Sequence, residues 1–81
     1  MNVSIEHPTN RPNFTRVQIG VLALWFSYET IIAFAHPSTG RVAAENEWGV
    51  TTGKHLNHIS DKSTRVQKSE LDAQLANLLP E

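Results

Sequence analysis

The densest group of side chains able to do chemistry is residues 48–57, Trp48-Gly49-Val50-Thr51-Thr52-Gly53-Lys54-His55-Leu56-Asn57. Two glycines followed by a lysine invite comparison with the phosphate-binding loop. In that loop backbone N–H groups cradle phosphates, while a Lys and a hydroxyl residue serve the terminal phosphate and Mg²⁺. The spacing does not fit. Three residues separate Gly49 from Gly53 where four are needed, and His55 stands where the hydroxyl residue should be. A weaker idea survives the count. Thr51, Thr52, Gly53 and Lys54 at a helix start offer hydroxyls, N–H groups and one cation to a phosphate or carboxylate. The alternative is that the threonines cap the helix and Lys54 is solvated.

Other groupings are thinner. His55 and His58 are three apart, so a helix would place them on one face. Asp61 or His36 would have to complete a metal site, and a histidine pair with no clear third ligand does not define one. Glu29 could act as a general base, but no nucleophile with an obvious partner accompanies it. The chain therefore reads as non-enzymatic, with no cofactor and no metal. Its cations, Arg11, Arg16, Arg41, Lys54, Lys62, Arg65 and Lys68, are scattered among eight acidic residues. Without a basic stripe, nucleic acid has little support as a partner.

The bulk numbers bound the rest. A chain of 81 residues makes one small domain with a modest core. It has no cysteine, which removes disulfides and thiolate metal sites. The N-terminus lacks a basic region followed by an apolar core, so no leader is expected. The apolar runs 19–26 and 31–35 are separated by Ser27-Tyr28-Glu29-Thr30. Each is far short of the roughly 20 residues a spanning helix needs, so no membrane segment is expected.

The elements that must position the block follow from periodicity. Residues 1–14, with Pro8, Asn10, Pro12 and Asn13, read as a flexible arm in which Val3 and Ile5 could form a short edge strand. Residues 15–81 read as a single α+β domain. Alternation at Thr15, Val17 and Ile19 predicts a strand over 15–27, bent at Gly20. Its later half, Val21 to Phe26, is apolar on both faces, as a strand covered twice would be. A second strand is predicted over 31–36 and a third over 41–47, separated by the turn Pro37-Ser38-Thr39-Gly40. Val42, Ala44 and Trp48 can share the inner face. Thr51 or Thr52 then caps a helix reaching about Ile59, and Ser69 caps a last helix with the stripe Leu71, Leu75 and Leu78. Asp72 gives that start a box-like look. The predicted architecture is a small three-stranded antiparallel β-meander followed by two α-helices.

One question stays open at this level. A sheet covered by helices on one side leaves the second apolar face of residues 21–26 unpartnered. The arm, a second copy or a foreign protein could cover it, with Trp25, Trp48 and Tyr28 as anchors. Alternatively, the two helices lie on opposite faces and complete the core internally.

The order Phe26-Ser27-Tyr28-Glu29-Thr30, Ala33-Phe34, Gly40-Arg41-Val42 and Asn46-Glu47-Trp48 through Thr51-Thr52-Gly53-Lys54-His55-Leu56-Asn57 resembles an uncharacterised family of small phage- and plasmid-encoded proteins. The resemblance implies a small α+β domain without catalytic residues. It also implies a mobile-element origin, where small proteins act by binding host machinery.

The expected function is thus protein–protein contact that inhibits or modulates a host complex, in the cytoplasm of the host cell. A homodimer is a further candidate. The other reading is a nucleotide or nucleic-acid binding module using the helix start at residues 51–57. Candidate contact residues are Tyr28, Trp48, Thr51, Thr52, Lys54, His55 and Asn57.

Overall fold

Gly20 and Tyr28 decide the topology, because the chain reverses at each. In the computed structural model, which describes residues 3–7, 13–59 and 65–78, both have a positive φ, +59° at Gly20 and +57° at Tyr28. Gly20-Val21 links β2 (Phe14–Ile19) to β3 (Leu22–Ser27), and Tyr28-Glu29 links β3 to β4 (Thr30–His36). Two-residue hairpin loops of this kind need a positive φ at the first central position. The strand predicted over 15–27 is therefore two strands joined by a tight turn. Gly20 was legible as a bend, but its role is full reversal.

The sheet has five strands rather than three, in the order β1-β2-β3-β4-β5, all antiparallel. Splitting 15–27 adds one. The other is β1 (Val3–Glu6), which pairs Val3 with Ile19 and Ile5 with Val17. β5 (Gly40–Ala43) is shorter than the predicted 41–47 and starts on Gly40, the last residue of the expected turn. Beyond it the returning chain lies along its outer edge: Val66 N–H donates to Ala43 O (2.8 Å) and Glu45 N–H to Val66 O (2.7 Å).

The two helices, α1 (Val50–Ile59) and α2 (Lys68–Ala76), pack on opposite faces. Alternation along β3 sends Ala23 and Trp25 to the α1 side, with Leu56 and Ile59. Leu22 and Leu24 go to the α2 side, with Leu71 and Leu75. This resolves the open question about residues 21–26 in favour of internal completion. Each apolar face of β3 meets its own helix. A bulge between Trp25 and Phe26 lets consecutive residues Ile32 and Ala33 both join the α1 cluster, after which Phe34 returns to the α2 side.

Trp25 is buried rather than offered to a partner. The guanidinium groups of Arg16 and Arg41 stand 5.3 and 5.2 Å from its ring centroid, covering sheet surface beyond the helix. Arg41 Nη1 also donates to Ile59 O (2.8 Å), placing a cation at the C-terminus of α1.

The helix starts differ from expectation. α1 begins at Val50, so Thr51 and Thr52 lie inside its first turn. Asn46 instead orders the loop leading into the helix: its Oδ1 accepts from the N–H groups of Trp48 (3.0 Å) and Gly49 (3.3 Å), and its Nδ2 donates to Gly49 O (2.9 Å). α2 is preceded by Gln67, without a side-chain cap; Ser69 is helical, and Asp72 pairs with Lys68 one turn back. Leu71 and Leu75 are buried as the stripe predicted, and Leu78 packs beside them. Residues 60–64 and 79–81 lie outside the described residues. No described helix is long and apolar enough to cross a membrane.

The Asn46 side chain makes a specific claim about Gly53. A Cβ there would come 2.8 Å from Asn46 Nδ2. Gly→Ala in a helix ordinarily gains about 1 kcal/mol, and losing the Asn46 hydrogen bonds costs about 1 kcal/mol. Gly53→Ala alone is therefore expected to leave thermal stability nearly unchanged. In an Asn46→Ala background it is expected to recover about 1 kcal/mol. Equal effects in both backgrounds, read from melting curves, would refute the packing of this amide on the helix.

Candidate functional site

A cleft of about 290 Å³ opens between the β3–β4 turn and the start of α1. Tyr28, Trp48 and Val50 form its rim, and all three are exposed large side chains. Its floor is Ile32, Ser27 and Thr52, all buried. Tyr28 reaches the rim because the hairpin turn puts it there. Trp48 does so because the Asn46 side chain folds the preceding loop over the helix start. Trp48 is thus at the mouth of the cleft, not on the inner face with Val42 and Ala44.

Beneath the floor runs a polar network that residue spacing alone did not reveal. Ser27 Oγ lies 2.8 Å from Thr52 Oγ1 and 2.8 Å from His55 Nδ1, in hydrogen bonds that join β3 to α1. The His55 ring stacks on Phe14 with centroids 4.5 Å apart and planes 5° from parallel. His58 meets the same Phe14 edge-on at 5.9 Å. A sequence signal for this network did exist. Thr52, His55, Leu56 and Ile59 form one helical stripe, so two polar residues sat on the face that must be buried. Buried polar groups need partners. What no spacing could say is that the partner would be Ser27.

A serine bonded to a histidine is the pair that nucleophilic chemistry uses. Here Ser27 is 2% exposed and His55 1% exposed, and the serine hydroxyl is already engaged by Thr52. The geometry makes this a clamp holding the cleft's two walls together.

The candidate residues separate into three places. Tyr28, Trp48, Thr51 and Thr52 line the cleft. His55 lies buried below it. Lys54 and Asn57 belong to a second depression, shared with Glu45, Gly53 and Arg65, where Arg65 Nη2 donates to Asn57 Oδ1 (2.8 Å). The hydroxyls and the cation of the block therefore do not converge on one anion site. Among the described residues, no three His, Asp or Glu side chains gather as a metal site would require.

The chain belongs to a family of unknown function, designated DUF8033, which it matches over residues 3–74. That span includes the cleft, the network beneath it and most of α2. Neither a curated protein nor a solved structure matches the chain.

Proposed function

We propose that this is a non-enzymatic binding protein that works by protein–protein contact, seating a partner's side chain in the cleft between Tyr28 and Trp48. One observation carries the reading. Tyr28 is 55% exposed yet sits at φ +57°, the turn position that glycine occupies without strain. A non-glycine residue there costs about 1–2 kcal/mol. An exposed side chain that adds little to the core and strains its own backbone fits a contact role. Tyrosine and tryptophan bury much area at low entropic cost when a partner covers them.

The fuller reading is that the partner is a host protein or complex, inhibited or modulated in the host cytoplasm by a phage- or plasmid-encoded protein. Its support is the sequence resemblance together with small size. A nucleotide or nucleic-acid ligand at residues 51–57 has less support, because Lys54 and Asn57 face a different depression from Thr51 and Thr52.

Tyr28→Gly separates contact from architecture. It is expected to hold or raise stability, by up to about 1 kcal/mol, while abolishing capture of partners from host lysate by the tagged protein. Trp48→Ala should lose the same partners, and Lys54→Ala should retain them. Partners that survive both cleft substitutions would sink the proposal. Salt-dependent binding of a nucleotide or short DNA that is lost with Lys54→Ala would favour the alternative.

A further inference from the structure

The two edges of the sheet are finished differently. At the Ala43 end of β5 the segment at Val66 makes backbone hydrogen bonds, so that edge is partly occupied. Among the described residues β1 pairs only with β2, and all four of its residues are exposed. Val3 and Ile5, 60% and 66% exposed, lie across from Ile19 and Val17 on the α2 side of the sheet. The leucines of α2 are buried over Leu22, Leu24, Phe34 and Val42, so the helix leaves the β1 end of this face uncovered. Edge strands are ordinarily guarded by charge, proline or a bulge. The only charge on β1 is Glu6, which faces the other side of the sheet and pairs with Arg16 (Nη1–Oε2 3.7 Å).

We infer that β1 pairs antiparallel with β1 of a second copy, about a two-fold axis perpendicular to the sheet. The strand suits itself as a partner. Side chains opposed across an antiparallel pair share a face. Centring the pair on Ser4 sets Val3 against the second copy's Ile5, and the reverse, extending the apolar row of Val17 and Ile19 across the junction. The two Glu6 side chains then fall at opposite ends rather than against each other. An isologous contact of this kind closes on itself. Because the contact uses β1 of both copies, it closes at two copies, joined in one continuous sheet. Four-residue strands bury little area beside a standard interface, so the dimer is weak and concentration-dependent.

Sedimentation equilibrium from micromolar to millimolar concentration tests this. The mass should rise from 9.1 kDa towards twice that value. Ser4→Lys sets like charges directly opposite each other and Ile5→Lys sets a cation against the second copy's Val3, so each should weaken association at least about tenfold. Both sites are exposed, so the monomer's circular dichroism and melting should be unchanged. Val21→Lys, exposed but off the edge, should leave association intact, as should Tyr28→Gly and Trp48→Ala in the separate cleft. A mass of one chain at every concentration overturns the proposal. So does association that Ile5→Lys and Ser4→Lys leave unchanged, or that Val21→Lys weakens equally.

Discussion

Phe34→Ala is expected to remove 3–5 kcal/mol, roughly, of unfolding free energy, and with it most of the margin that keeps a domain of this length folded. Phe34 is fully buried at the centre of the α2 side. The ladder places it between Leu24 of β3 and Val42 of β5, and Leu71 and Leu75 of α2 complete its surroundings. Domains have total stabilities of about 5–15 kcal/mol, and one of this length sits low in that range. Neither edge of the cavity can close easily, since the ladder holds β3 and β5 in register on both sides. Phe26, half-buried at the margin of the same cluster, should cost less when truncated. Urea titration followed by far-UV circular dichroism provides the comparison. A loss below about 1.5 kcal/mol at Phe34 would mean that α2 does not pack on this face.

The second large effect concerns the clamp under the cleft. His55→Ala is expected to cost about 2–4 kcal/mol, through the stacking lost against Phe14 and the hydrogen bond lost to Ser27. Ser27→Ala removes the group that joins Thr52 to His55, leaving both without that buried partner, and should cost about 1–3 kcal/mol. The two losses should not add. Once either residue is gone, the bond between them is already broken, so the double variant should be more stable than the sum predicts, by about 0.5–3 kcal/mol. Strict additivity in a denaturant double-mutant cycle would show that the 2.8 Å contact contributes nothing to holding α1 on β3. The cleft should widen with the clamp removed, so partner capture is expected to fall in Ser27→Ala alongside stability.

Much of the local structure was legible from residue pattern. Leu71, Leu75 and Leu78 announced their helix face, Pro37 to Gly40 announced a turn, and Val3 and Ile5 a short edge strand. Tyr28, Trp48, Thr51 and Thr52 were singled out, and they share one cleft. The misreadings have a common cause. A glycine within apolar sequence, as at Gly20, fits either a bend or a reversal, and only strand pairing distinguishes them. Hydroxyl residues favour cap positions, so Thr51 or Thr52 and Ser69 suggest caps, but all three fall inside the helices, which begin at Val50 and Lys68. Trp48 was placed inward by parity, although the strand that parity assumed ends at Ala43.

Taken alone, the amino-acid sequence determined the α+β class, the extents of both helices to within a residue or a few, and the need to cover β3 twice. These follow from periodicity and turn chemistry, which act over a few residues. Tertiary structure alone decided that the helices take opposite faces, that Ser27 meets His55 across 28 positions, and that Tyr28 and Trp48 form one rim. It also decided that Val66 meets the β5 edge, while among the described residues β1 pairs with β2 alone. Those outcomes depend on which distant surfaces exclude water together and which buried polar groups find partners, and local pattern carries no record of either.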